Sequence, residues 1–252
     1  MIKTQTKNKQ AQIIPDTITL KTIKYDKTAT HVTTKEKSSF LKDPGSALTH
    51  LLGIILTEAG IFPLICKAAL SDKPFAVLSS SIFISSMLLL YLASTLYHSI
   101  NASDKINKIL KKADHIMIYF LIAGTYTPIC MIALPKNVGI PLLSIIWGLT
   151  FAGLFLSVFW INSPRWLNST IYIIMGWLCV FAFKPLFSAI SPAAFCWLLA
   201  GGIIYTIGGV IYALKMPVFN SLHKNFGSHE IFHLFVLGGS ICHYIMIYNY
   251  LL

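Results

Sequence analysis

The chain has 252 residues, 55% of them hydrophobic and 12% charged, with a mean hydropathy of +0.68 and a formal net charge of +11. A soluble globular domain carries about twice that share of charged side chains, so the composition excludes a water-soluble fold and predicts an integral membrane protein. Nucleic acid is not an expected partner despite the charge, because the bases sit in an N-terminal tail and in short loops, with no basic helix and no aromatic-interleaved patch.

In chain order, residues 1–46 come first, with nine lysines, four acids, many threonines and little periodic apolar pattern. That predicts a disordered or surface-lying basic tail. It lacks the apolar core and small-residue cleavage site of a signal peptide, so the first spanning helix is expected to stay in the mature protein. Seven apolar runs follow, near 47–66, 75–98, 115–134, 139–160, 168–188, 192–214 and 230–251. Each has about the 20 residues a helix needs to cross the hydrocarbon core. The expected fold is therefore all-α, a seven-transmembrane helix bundle over residues 47–252, with no loop long enough for a second domain.

The bases predict its orientation. With the N-terminus in the cytoplasm, the tail, 99–114, 161–167 and 215–229 hold nine, four, one and two bases. The opposite side holds Lys67, Lys73, Lys136 and Lys184 alone. The excess belongs inside, which puts the C-terminus outside and makes anionic lipid a partner for the tail. The five cysteines, Cys66, Cys130, Cys179, Cys196 and Cys242, are scattered without a C-x-x-C pair and read as packing residues.

Ionisable groups are rare in spans and normally face the bundle interior. Here they gather. The first span begins SALTHLLGIILTEAG, with His50 near its start and Glu58 deeper; the second ends YLASTLYHSI, with Ser94 and His98. The third begins KKADHIMIYF, with Asp114 and His115, and the seventh begins SHEIFHLF, with His229, Glu230 and His233. Spans one, three and seven start on the cytoplasmic side and span two ends there. His50, His98, Asp114, His229 and His233 thus fall at one membrane level from four helices. His229 and His233 are four residues apart and share a helix face. With His98 they supply the three protein ligands of a zinc site whose fourth position is open. Asp114 is placed to hold a water or to orient a histidine, and Ser94 shares the face of His98.

The other polar residues have plainer readings. His50 alone reads as a hydrogen-bonded helix contact, and Glu58 as lining an internal cavity or pairing with another polar group. His243 lies about 15 Å beyond His233 along the axis and reads as packing or far-side polarity. His31 and His223 are expected to be solvated. His115 points about 100° away from Asp114, so both are not expected to ligate one ion. Gly208-Gly209 and Gly238-Gly239 read as points of close helix packing.

The combination of STLYHS, Asp114 sixteen residues after that histidine, and HEIFHLFVLGGSICHY resembles the hemolysin III family, which belongs with the progestin and adipoQ receptors. The likeness covers residues 44–252, and SALTHLLG in the first span fits it, with Ser46 where an asparagine is common. It implies a seven-helix bundle with a cytoplasmic N-terminus and a zinc site near the cytoplasmic face. The zinc histidines fall on His98, His229 and His233, with Ser94 and Asp114 as polar partners around the metal-bound water. Relatives are described as hemolysins, as receptors, as regulators of membrane lipid homeostasis and as hydrolases of ceramide-like amides.

HEIFH also spells the H-E-x-x-H of zinc proteases, with Glu230 as base. The extended form of that motif fails, because its glycine and third histidine would fall on Val236 and Gly239. Asp114 is followed by His115, not by the glycine that commonly follows the distant aspartate of intramembrane zinc proteases. The leading expectation is a zinc-dependent hydrolase, or a regulator derived from one, acting on an acyl lipid in the plasma membrane, with Asp114 and Ser94 as catalytic residues. The alternative is a non-enzymatic regulator, receptor-like or cytolytic protein with a structural zinc closed by a fourth ligand such as His50.

Overall fold

The computed structural model describes residues 41–160, 164–214 and 227–252. The expected disordered tail through residue 40, the solvated His31 and His223, and the bases Lys215 and Lys224 lie outside the described residues. Helix α1 spans Pro44–Leu70, α2 Ala76–Ser99, and α3 Asp104–Pro128, which continues into a π-helical turn Ile129–Ala133. Next come α4 Lys136–Phe159, α5 Arg165–Trp177, a 3-10 turn Leu178–Ala182 and α6 Phe183–Ala189. The chain ends with α7 Pro192–Leu214, α8 Ser228–Met246 and a π-helical turn Ile247–Leu251. These make seven segments long and apolar enough to cross a membrane, the fifth joining α5, its turn and α6. There is no strand among the described residues.

Two boundaries differ from the sequence reading. Helix α1 starts at Pro44, a residue suited to a first helical position because its missing N–H is unpaired there anyway. Helix α3 starts at Asp104 rather than near 115, so part of the segment read as a loop is its first turns. Lys105, Lys108, Lys111 and Lys112 therefore lie on a helix, which corrects the expectation that no basic helix exists. The reason is that helical backbone is hydrogen-bonded internally in water and in lipid alike, so a change of composition at the membrane boundary does not end it. Lys112 Nζ uses this extension to donate to the Val158 carbonyl at the end of α4 (2.7 Å).

Helix α1 packs on α2 and α8, α2 on α3, α3 on α4, and α5 and α8 on α7. Close approach explains two of the predicted glycines. A Cβ on Gly208 would stand 2.5 Å from that of Phe235, and one on Gly239 would stand 2.6 Å from the Tyr205 ring. Ser240 ties three helices together, since the Tyr91 hydroxyl donates to it (2.7 Å) and the Tyr205 hydroxyl lies 2.8 Å away.

The break between α5 and α6 leaves backbone groups that lipid cannot satisfy. Tyr126 meets them from α3: its hydroxyl donates to the carbonyls of Met175 (3.1 Å) and Gly176 (2.7 Å) and accepts the Cys179 N–H (2.9 Å). At the end of the bundle away from the histidines, Lys67 Nζ donates to the Tyr248 carbonyl (2.5 Å). It also lies 4.4 Å over the Tyr248 ring, which fixes the end of α1 to the C-terminal turn.

Candidate metal centre

Helix α8 brings His229 and His233 to one face, one turn apart, and the last turn of α2 brings His98 against them. One ligand atom from each of the three lies within 4.8 Å of the other two. The three rings have centroids 4.4–5.3 Å apart. The Nε2 atoms of His98 and His229 are 3.1 Å apart. That is near the spacing of about 3.3 Å which two nitrogens take when each is bound 2.0–2.1 Å from a tetrahedral zinc.

The hydrogen bonds behind the rings decide which nitrogen faces inward. His98 Nδ1 lies 3.1 Å from Asp43 Oδ2. A carboxylate only accepts, so Nδ1 is the donor of this bond and Nε2 is the nitrogen turned toward the cluster. His233 Nδ1 lies 3.3 Å from the Ser46 carbonyl, another pure acceptor, and 3.1 Å from Thr49 Oγ1, with the same consequence. His229 Nδ1 is buried without a partner among the described residues. Two imidazoles that turn their Nε2 atoms to one point, beside a third, form a donor set that fits a borderline-soft divalent ion such as zinc.

The first turn of α1 thus supplies the outer support of the cluster, and its main member, Asp43, belongs to none of the motifs in the sequence. Asp43 holds the N-cap position of α1, where an aspartate ordinarily bonds the first free N–H groups of its helix. It makes no such cap bond and turns to His98 instead. Its N–H donates to the His98 carbonyl (2.9 Å), while Lys42 Nζ reaches the Tyr97 carbonyl (3.4 Å) and lies 3.7 Å over the Tyr97 ring. The Asp-Pro spelling signals a helix start. Only the docking of that start on α2 gives the carboxylate a second use.

Asp114 is 7% exposed and stands outside the three-ligand set. Its Oδ2 is 3.5 Å from His115 Nδ1, which lies 2.9 Å from the Lys111 carbonyl. Ser94 is fully buried, and its hydroxyl neighbours the Asp114 carboxylate without closing a hydrogen bond to it. His50 is buried and stacked on His233, with centroids 3.7 Å apart and planes 14° from parallel, and its two nitrogens have no partner among the described residues. His243 is buried deeper, stacked on Tyr205 (5.4 Å). Glu58 lines neither cavity at the cluster; it lies on the exposed face of α1, which corrects the cavity expectation. Gly53, Thr57 and Leu64 take the inward stripe, and Glu58 is one residue, about 100°, around from Thr57.

Two cavities meet at the cluster. A polar one of about 330 Å³ is lined by His98, His229, Asp114, Asp43, Lys111 and Arg165. An apolar one of about 440 Å³ starts at His233, His229 and Asp114 and runs to Leu134 and Leu142, near the other end of the bundle. This pairing suits an amphiphile whose chain enters the apolar cavity and whose polar bond stops at the histidines.

Comparison with known proteins gives the same family as the motifs. The profile of the "Haemolysin-III related" family matches residues 38–244. The chain is 40% identical over 205 residues to the "Hemolysin-3 homolog" of Bacillus subtilis (strain 168), covering 81% of this chain and 92% of that protein. It is 39% identical over 216 residues to "Hemolysin-3" of Bacillus cereus, covering 85% and 94%. The "Adiponectin receptor protein" of Drosophila melanogaster is 25% identical over 218 residues, 80% of this chain and 49% of that one.

Proposed function

The chain belongs to the haemolysin-III-related family of multi-pass membrane proteins, within the progestin and adipoQ receptor superfamily, and on that premise we propose that it is a zinc-dependent hydrolase of an acyl amide or ester drawn from the bilayer, acting in membrane lipid homeostasis. The observation that carries this reading is the convergence of His98, His229 and His233 beside a buried carboxylate, at the head of an apolar cavity of about 440 Å³. Zinc, when bound, supplies a Lewis acid that lowers the pKa of water and polarises a carbonyl. The three histidines hold it. Asp114 accepts the proton of the attacking water and returns it to the leaving amine or alcohol, and Ser94 steadies that carboxylate. The apolar cavity takes the acyl chain and keeps bulk water from the scissile bond. Zinc-loaded protein in nanodiscs should release free fatty acid from a ceramide or a related amide or ester lipid. No release from any of them would overturn the hydrolase reading.

Asp43 acts behind the metal, and losing such a support typically costs 10–100-fold in affinity. Asp43→Ala should therefore raise the zinc dissociation constant by about that factor in a chelator competition, while metal-free protein keeps its helical content.

The proposed orientation is N-terminus in the cytoplasm and C-terminus outside, in the plasma membrane, supported by the excess of bases on the tail side. A reporter fused after Leu252 should be active only if it works outside the cytoplasm. A cytoplasmic signal would reverse the assignment of the histidine layer to the cytoplasmic side.

A second reading rests on His50, whose nitrogens are unpartnered next to His233. A fourth imidazole would close the metal site and make it a structural staple in a receptor-like or cytolytic protein. Relatives named as hemolysins and as a receptor agree with that reading.

A further inference from the structure

Glu58 is the feature that the hydrolase reading leaves unused. It is exposed on α1 and makes no hydrogen bond or ion pair among the described residues. Its depth is fixed from both ends. His50, in the histidine layer, lies eight residues before it, and Lys67, bonded to the C-terminal turn, lies nine after it. At the helical rise these are about 12 Å and 13.5 Å, so Glu58 stands near the middle of a hydrocarbon layer about 30 Å thick. A carboxyl there is too far from either interface to snorkel, and facing acyl chains leaves its hydrogen-bonding groups unsatisfied.

The surface around it is ordered. Leu48, Leu51, Leu52, Ile55 and Phe62 are all exposed on the same side of α1, and Leu48, Ile55 and Phe62 repeat every seven residues. Glu58 and the exposed Ala59 fall in the gap between Ile55 and Phe62, where the second position of the heptad seam belongs. The small Ala59 allows a neighbouring helix to come close, and a single polar residue in such a seam sets register and oligomeric state.

We propose that this face of α1 is a homodimer interface, in which α1 packs in parallel against α1 of a second copy and the two Glu58 carboxyls hydrogen-bond across the two-fold axis. The same chain inserted the same way brings an identical group to an identical depth. An isologous contact therefore satisfies the requirement without a second protein evolved to match it. Two carboxyl groups facing one another give each other the hydrogen-bonding partner that acyl chains do not.

The test is the oligomeric state of the full chain in lipid bilayers, read by single-molecule photobleaching over a range of protein-to-lipid ratios. Wild type should be dimeric, Glu58→Gln should remain so because an amide also donates and accepts, and Glu58→Leu should need about tenfold more protein per lipid to dimerise. Ala59→Cys should cross-link to itself, while a cysteine placed at Val77 on α2 should not. A monomeric wild type, an equally dimeric Glu58→Leu, or cross-links from Val77→Cys alone would overturn the proposal. So would a cross-link in native membranes from Ala59→Cys to a different protein only. Zinc content is unaffected in each case, so the outcome is independent of the metal site.

Discussion

Replacing Asp114 by Asn should lower lipid hydrolysis at least about a hundredfold with zinc still bound, whereas Glu230→Gln should keep most of the activity. Asparagine matches aspartate in shape but does not accept the proton, and a lost general base costs about 10²–10⁴ in rate. Asp114 stands beside the three-histidine set and outside it, so the change spares the ligands. Glu230 is the base if HEIFH is a protease motif, yet both its oxygens are already engaged. Oε1 accepts the Ser46 hydroxyl (2.5 Å), and Oε2 accepts the Gly227 N–H (2.7 Å) at the start of α8. These are the bonds of a carboxylate that caps its own helix and ties it to α1, with a further contribution from the helix dipole. Glutamine keeps one acceptor oxygen and loses the other, which costs about 1 kcal/mol of stability rather than the chemistry. Single-turnover hydrolysis with zinc measured on the same samples checks both variants. An inactive Glu230→Gln beside an active Asp114→Asn would mean that HEIFH is what it spells.

His98→Ala, His229→Ala and His233→Ala should each lose most of their zinc. Each removes one of three protein ligands, and two imidazoles do not hold the ion at the concentrations at which three do. The loss appears in stability as well. Zinc at about a thousand times its dissociation constant stabilises the native state by about 4 kcal/mol, a shift in melting temperature that the three variants should lack. His50→Phe separates the two zinc readings, because a flat apolar ring keeps the stack on His233 and offers no nitrogen. Retained zinc supports three ligands, and zinc loss supports His50 as a fourth. Metal content and melting temperature with and without zinc check the set, and retention by His98→Ala alone would place the third ligand elsewhere.

The bundle was legible because lipid imposes a length on apolar runs, so seven spans could be counted without knowing how they pack. The histidines stood out for the same reason: a polar residue in an apolar run is conspicuous, and the alternation of direction from span to span puts the start of α8 level with the end of α2. What the sequence did not reveal depends on contacts between helices. Asp43 looked like part of a lysine-rich tail, since nothing in its spelling says that the start of α1 docks on His98. The break between α5 and α6 is flanked by Gly176 and Pro185, whose weakening of the helix is masked in the sequence by an unbroken apolar run, and it is tolerated because Tyr126 arrives from α3. Glu58 was assigned to the interior by the rule that ionisable residues face inward. At its depth the inward stripe of α1 is taken by Gly53, Thr57 and Leu64, and the carboxyl lies on the outer face.

In the proposed site three imidazoles hold one zinc ion and leave a position open. X-ray absorption at the zinc edge of purified wild-type protein addresses it most directly. Four nitrogen or oxygen neighbours at about 2.0–2.1 Å are expected, three of them imidazole nitrogens and one an oxygen. Four imidazoles, a sulfur at about 2.3 Å, or a preparation that binds no zinc would contradict it.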